Sequence, residues 1–420
     1  MSALQARLRL GLAALQDRDL LRRRALCRPL PHGRLERNGR TLLSFAGNDY
    51  LGLSLHPDLA PALANAAAGA TASPLVCGHH PEAQALEQEL AAWSGFQAAR
   101  LFVSGYQASL GVIPALAGPG DTIYCDRLNH ASLIDGSRLS GARLRVYPHL
   151  DLERLDALLS RPHSGLKLVI SDSVFSMDGT LAPVDRLLAL CERHDAVLYL
   201  DDAHGLGVLG DTGRGAPEHF ALTETQRRRL VYLGTFGKAA GLGGAFVAGD
   251  AILAEWLTQR ARSYVYSTGL APAHCAALRA CLPLITRAAP QRARLQNHVR
   301  RLREQSQDLP WPLPPSDTPV QRLMLGDART ALILSEYLAG QGVWVPAIRP
   351  PTVPRGQARL RISLSAAHGD DDILRLADCL RQAAHHLSCL SERHEQDRTP
   401  FPVAPQPGRR LAPLHADAAP

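Results

Sequence analysis

Apolar and polar positions along the chain change period several times, and the changes delimit elements. Residues 1 to about 26 carry helical spacing and end in Arg22, Arg23 and Arg24. Thr41–Ser44 is a short apolar strand, Asn48–Gly52 a loop of residues that bond their own backbone, and Pro57 opens a helix to about Ala67. The small-residue stretch Gly69–Gly78 reads as a linker into Pro81–Trp93, where Leu86, Leu90 and Trp93 recur at helical spacing. From Arg100 onward short, nearly all-apolar runs alternate with helical segments. The runs are Leu101–Val103, Thr122–Cys125, Leu144–Tyr147, Leu166–Ile170, Val197–Leu200 and Leu230–Leu233, and the helices include Gln107–Leu116, Asp151–Leu159 and Val184–Arg193. Such runs are the pattern of strands covered on both faces.

Strand, polar loop, helix, strand is the order of a parallel sheet with right-handed crossovers. It predicts that the loops after Cys125, Ile170, Leu200 and Leu233 meet at one end of the sheet. Ala245–Ala248 adds a strand that pairs antiparallel if the turn at Gly241–Gly244 is tight. Helices follow at Ala251–Arg260 and Ala271–Gln305, with a break near Pro283, and the proline-dense Pro310–Pro319 marks a boundary. A smaller α+β unit comes next, with strands Val320–Leu325, Val343–Val345 and Leu360–Ser365 and helices Ala328–Leu338 and Asp371–Leu387. The expected domains are an N-terminal helix and arm (1–50), a large α/β domain (51–305), a small C-terminal α+β domain (306–390) and a mostly disordered, proline-rich tail (391–420).

Composition narrows the class. Hydrophobic residues make up 46% and charged residues 20%, and no apolar run approaches the roughly 18 residues of a membrane helix. The expectation is a soluble, cytoplasmic protein without a membrane partner. The arginine-rich start contains Asp17 and Asp19 and lacks an apolar signal core, so it reads as a helix of the mature chain. A net charge of +7 with only 5% aromatic residues argues against a nucleic-acid partner, and a positive entrance for an anionic substrate accounts for the sign as well. Eight cysteines without CxxC spacing fit buried thiols in a reducing compartment, not a disulfide framework or a zinc site.

The chemistry gathers around Leu230–Gly244, an apolar strand followed by small residues, Thr235 and a single lysine, Lys238, in a glycine-rich loop. Ligand crevices of open α/β sheets lie at such carboxyl ends. A partly desolvated amine there has a lowered pKa and attacks carbonyls. With an aldehyde cofactor bearing a pyridine ring, Asp201 at the end of Val197–Leu200 is placed to face the ring nitrogen and His130 to stack on the ring. A phosphate fits the helix start at Gly105–Gln107 together with Thr235. No GxGxxG opening a βαβ unit and no GxxxxGK[ST] is present. Taken singly these residues have ordinary readings: His130 as a satisfied polar residue, Tyr106 as core, Arg22–Arg24 as a solvated face, and Asp201, Asp202 and His204 as metal ligands. Adjacent aspartates on a strand point to opposite faces, however, and no further cluster completes a metal shell, so no metal site is expected.

Six segments in order carry a resemblance: Asn48–Leu53, Asp126–Ser132, Val174–Gly179, Asp201–Gly205, Thr235–Lys238 and Tyr266–Thr268. Through them the chain resembles the α-oxoamine synthases over about residues 1–390. These are pyridoxal 5'-phosphate enzymes of the fold type I, aspartate-aminotransferase-like class, with a large mixed, mostly parallel sheet domain and a smaller α+β C-terminal domain. The resemblance implies that Lys238 bonds the cofactor and moves the α-proton, Asp201 pairs with the pyridine nitrogen, His130 stacks on the ring and His204 bonds its hydroxyl, with Ser176 alongside. It further implies a phosphate site of Gly105, Tyr106 and Thr235, joined by Ser267 and Thr268 from the other subunit of a homodimer. Arg361 would hold the amino-acid carboxylate, and Arg22, Asn48 and Thr352 would serve substrate binding.

Within the family the chain looks most like the biotin-biosynthesis branch, which condenses L-alanine with pimeloyl-CoA or pimeloyl-acyl-carrier protein and releases carbon dioxide. Relatives of the glycine C-acetyltransferase or 5-aminolevulinate synthase kind, and a non-catalytic binding protein on the same fold, remain alternatives. One stretch departs from the family pattern. Ala70, Thr71, Pro74 and Cys77 replace a glycine- and serine-rich run, and Ala83 stands where a histidine is usual, at a loop bordering the acyl site.

Overall fold

A computed structural model describes residues 2–18 and 20–396. In chain order its strands are β1 (Cys27–Leu30), β2 (Arg34–Arg37), β3 (Arg40–Ser44), β4 (Ala98–Phe102), β5 (Thr122–Asp126), β6 (Arg143–Tyr147) and β7 (Lys167–Asp172). They continue with β8 (Val197–Asp201), β9 (Leu230–Thr235), β10 (Ala245–Gly249), β11 (Val320–Gly326), β12 (Val343–Trp344), β13 (Ala347–Ile348) and β14 (Ala358–Ser363). The central sheet runs β4-β10-β9-β8-β7-β5-β6. Its β9, β8, β7, β5 and β6 are parallel, and β10 is antiparallel to both neighbours. That reversal follows from the tight turn after Lys238, as the spacing predicts. Two smaller sheets, β1-β2-β3-β12 and β11-β14-β13, lie outside it.

The middles of the inner strands are apolar because both faces are covered; Leu168, Val169, Ile170, Leu198, Tyr199 and Leu200 are all buried. β6 corrects the sequence reading, since it is the sheet edge and exposes Arg143, Arg145 and Val146. Its apolar run marked a strand but not its place in the sheet.

The first helix ends at Gln16, not near residue 26. After a turn at Asp17–Arg18, Leu20–Leu26 form no regular secondary structure, and Leu26 N–H donates to the Asn38 side chain while Asn38 N–H donates back to the Leu26 carbonyl. These long-range bonds outweigh the helix propensity of the arginines. Of the antiparallel strands β1, β2 and β3, only β3 is read from the sequence, because β1 and β2, CRPL and RLER, are polar and largely exposed. Their turns at His32–Gly33 and Asn38–Gly39 hold positive φ in pairs, the hairpin geometry in which Asn-Gly is favoured. The helix Ala131–Leu139, capped by His130, is not among the helices the sequence reading assigns. The break expected near Pro283 falls at Arg287–Ala288, with Pro283 inside the helix Pro272–Thr286. The C-terminal helix runs from Asp370 to Gln396. Most of the segment expected to be a disordered tail, from 397 on, lies outside the described residues. Among those described, no helix is long and apolar enough to cross a membrane.

Candidate active site

Parallel pairing brings the carboxyl ends of β5, β7, β8 and β9 side by side, and each delivers a polar residue there. Asp172 and Asp201 are register partners across β7 and β8, and Asp201 faces Leu233 on β9. Just beyond β9 the loop 236–244 folds on itself: Phe236 N–H donates to the Gly244 carbonyl and Gly241 N–H to the Lys238 carbonyl. Gly241 has a φ of 68°, and a Cβ there would lie 2.3 Å from the Ser54 nitrogen, so only glycine allows the turn.

The loop presents the half-buried Lys238 to the two carboxyl groups. Burial pushes its amine below the usual lysine range, opposed by Asp201 and then Asp172. Burial raises Asp201, with Lys238 and then His130 pulling it back, and Ala203 N–H donates to its Oδ1 at 3.0 Å. Asp172 is raised further, first by burial and then by Asp201. Asp202 points to the opposite face. There it accepts from Ser173, from Ala216 N–H at 2.8 Å and from Tyr232 OH at 2.9 Å, which leaves it a scaffold group. Burial raises its carboxyl to about 7.

His204 is buried, and its Nδ1 lies 2.7 Å from Tyr50 OH. Burial, reinforced by Lys238 and Arg361, holds it well below the usual imidazole range, so the ring is neutral. Tyr50 OH also reaches Asn48 Oδ1 at 3.2 Å, and Arg361 joins the same group. Its Nη1 donates to Asn48 Oδ1 (3.1 Å) and Ser363 Oγ (2.7 Å), and its Nε to the Ser176 carbonyl (2.5 Å). Arg361 is buried at 4% exposure, yet every one of these partners is a neutral oxygen. Among the described residues no carboxylate lies within 4.0 Å of its guanidinium. Asp178, two residues from Ser176, pairs instead with Arg359 and Arg322. A buried cation without an anion calls for one.

His130 stands exposed at the mouth of the crevice, its N–H donating to Asp172 Oδ2 at 2.7 Å and its Nδ1 2.8 Å from Ser132 Oγ. The protein mass beneath lowers its pKa, with Asp201 opposing. Tyr106 is exposed beside it, ring edge-on, and donates its hydroxyl to Asp135.

At the start of the helix Gly105–Leu116, Ser104 caps the Gln107 N–H. A Cβ on Gly105 would lie 2.6 Å from Thr235 Cγ2, and the buried Thr235 Oγ1 has no hydrogen-bond partner. A buried hydroxyl without a partner beside a helix N-terminus fits a phosphate group, and Lys238 flanked by carboxylates fits an aldehyde-bearing pyridine ring. The residues present therefore suit pyridoxal 5'-phosphate.

Other expected site residues lie apart. Arg22 Nη2 donates to Thr352 Oγ1 at 2.9 Å, and both line a recess of about 580 Å³ with Arg37, Trp344 and Arg349. Lys238 does not line that recess. Ser267 and Thr268 follow the helix Arg262–Val265 and face Pro74, Gly78 and His79, and no hydrogen bond ties them to Thr235. Tyr50, Asp172 and Ser363 were missed as site residues. Asp172 carries the same signal as Asp201, an acidic residue closing an apolar run, and Tyr50 lies inside the Asn48–Leu53 segment.

Comparison with known proteins agrees with this geometry. The model of the family "Aminotransferase class I and II" matches residues 40–380. An 8-amino-7-oxononanoate synthase from Azoarcus sp. (strain BH72) is 49% identical over 390 residues, covering 92% of this chain and 99% of the relative. A solved serine palmitoyltransferase from S. paucimobilis with a bound PLP–myriocin aldimine superposes with a TM-score of 0.85 at 26% identity, over 93% of this chain and 100% of that one. The 8-amino-7-oxononanoate synthase of Francisella tularensis superposes with a TM-score of 0.72 at 29% identity, over 83% of this chain and 99% of that one. Near-half identity over almost the whole of both sequences, on a sheet whose loops deliver Lys238 to Asp201, means that the chain belongs to the 8-amino-7-oxononanoate synthase family of the class I and II aminotransferase fold.

Proposed function

We propose that this protein condenses L-alanine with a pimeloyl thioester, releasing carbon dioxide and the free thiol, with pyridoxal 5'-phosphate held by Lys238. When bound, the cofactor supplies an aldehyde for the amino group and a ring that takes up electrons from the α-carbon. Lys238 would bond the cofactor, and its amine, held below the usual lysine range by burial, would accept the α-proton of alanine. Asp201 holds negative charge at the ring nitrogen, His130 presents its imidazole over the crevice, and His204 offers a neutral ring to the cofactor hydroxyl. Ser176 lies alongside. Gly105 and Tyr106 at the helix start, with Thr235 Oγ1, bind the phosphate. Arg361 grips the alanine carboxylate, with Asn48 helping to set its guanidinium. Arg22 and Thr352, joined at 2.9 Å, line the recess that takes the acyl thioester, from coenzyme A or an acyl-carrier protein.

Arg361 is the single observation that carries the amino-acid reading, since its buried charge finds only neutral oxygens among the described residues. The deciding experiment is a competition in which alanine, glycine and serine are offered with pimeloyl, succinyl, acetyl and palmitoyl thioesters, and the amino ketone is weighed by mass spectrometry. Alanine with pimeloyl thioester should give the highest turnover efficiency. One methyl is worth only about 1–3 kcal/mol in a pocket, so the preference over glycine should be roughly 10- to 200-fold. A better pair of any other kind sinks the substrate assignment.

A homodimer is part of the proposal, with Ser267 and Thr268 reaching the phosphate of the partner's site. Lys238→Ala and Thr268→Ala proteins, each impaired alone, should regain activity when unfolded together and reassembled. Random pairing gives one intact site in each mixed dimer, about a quarter of the wild-type sites. Activity no higher than the parents' average would place Thr268 in its own subunit's site.

A further inference from the structure

A histidine outside every motif above is held in a chain of partly buried hydrogen bonds that spans two walls of the crevice. His149 follows β6, and its Nδ1 lies 3.0 and 3.2 Å from the two oxygens of Asp126, while its Nε2 lies 2.8 Å from Thr180 Oγ1. The ring stands edge-on to Phe175, with centroids 4.3 Å apart. With both carboxylate oxygens on Nδ1, that nitrogen carries a proton, and Nε2 shares a hydrogen bond with the Thr180 hydroxyl.

Each end of this chain fixes one wall. Asp126, 1% exposed at the end of β5, also accepts the N–H groups of Leu128 and Leu150, both at 2.8 Å. It thereby shapes the loop that leads to Asn129 and His130. At the other end, Thr180 closes a small hairpin: its carbonyl accepts Phe175 N–H at 3.0 Å, and Val174 bridges Leu181. Ser176 lies at the tip of that hairpin, and its carbonyl accepts Arg361 Nε at 2.5 Å. The route from His149 to the guanidinium therefore runs through one hydroxyl, one two-stranded turn and one carbonyl.

We propose that His149 is a positioning residue for amino-acid binding: clamped between Asp126 and Thr180, it fixes the Val174–Leu181 hairpin and through the Ser176 carbonyl sets the aim of Arg361. The phosphate-binding groups, at Gly105, Tyr106 and Thr235, belong to other elements, so loosening the clamp leaves the phosphate contacts in place. The proposal rests on the function given above, in which Arg361 holds the alanine carboxylate.

Thr180→Val removes the hydroxyl while keeping the shape, Thr180→Ser keeps the hydroxyl, and His149→Ala removes the clamp. For each holoenzyme, the dissociation constant of alanine is read from the change in cofactor absorbance on titration, and that of pyridoxal phosphate from a separate titration of the stripped protein. T180V should weaken alanine about tenfold, the upper range for one lost hydrogen bond. Its affinity for pyridoxal phosphate should stay within about twofold, since none of the phosphate contacts is altered. T180S should match wild type, and H149A combined with T180V should be no worse than H149A alone, because both cut the same link. Amide exchange in the cofactor-free chain gives a second reading: Phe175 and Gly179 should exchange faster in T180V and not in T180S. Unchanged alanine affinity in T180V, equal loss in T180S, or a matching loss of cofactor affinity overturns the proposal. If wild-type protein shows no absorbance response to alanine, the function reading fails instead, and the exchange rates alone decide whether the clamp holds the hairpin.

Discussion

Lys238→Ala should purify folded but carry no cofactor absorption that borohydride bleaches, and its turnover should fall by roughly 10⁴-fold or more. The chain contains only two lysines, Lys167 and Lys238. Lys167 begins β7, at the end of the strand opposite Asp172, and its amine donates to the carbonyls of Leu159 and His194 at 3.0 and 3.1 Å. No second amine can stand in at the crevice. Borohydride reduction followed by peptide mapping should therefore place the cofactor's mass on the Lys238 peptide in wild type and on no peptide in the variant. Retention of a reducible band in Lys238→Ala would refute the whole arrangement. The fold should survive, because the loop is closed by backbone bonds from Phe236 and Gly241 and does not depend on the lysine side chain.

Asp201→Asn should bind the cofactor and yet exchange the alanine α-proton on the order of 10²- to 10³-fold more slowly, the usual loss when one preorganised electrostatic partner is removed. The amide matches the carboxylate in shape and keeps an oxygen for Ala203 N–H, so only the charge is lost. Exchange is followed by NMR in heavy water, without acyl thioester. Burial makes the wild-type carboxyl protonate at a higher pH than a free aspartate, so exchange should fall as pH drops through that raised value. The Asn variant should lose this dependence while keeping that of Lys238. Wild-type exchange rates in Asp201→Asn would move the role to Asp172, its register partner on β7.

Much of the site was legible because each strand announces its end. Asp201 directly follows an apolar run and Lys238 sits in the short small-residue loop after another, and a run with both faces buried can stop only where the chain reaches solvent or a crevice. The reversal of β10 was legible too, from the glycines at 241 and 244. His130, Ser176 and Arg361 were located only through a resemblance, since an imidazole in a polar loop or an arginine in a strand has no period of its own. Arg361 shows why: it lies within β14, where burial pairs it with Asn48 and Ser363.

The sequence alone determined the seven strands of the central sheet in chain order and the loops that carry chemistry, because alternation and length are local properties of neighbouring residues. Tertiary structure decided which loops share a wall. Asn48 meets Arg361 across 313 positions and Arg22 meets Thr352 across 330. It also put β6 at the edge, set Asp172 beside Asp201, and stopped the first helix at Gln16. Those outcomes depend on which strands pair and which charges find partners, and a buried hydrogen bond carries no trace in the residues that flank it.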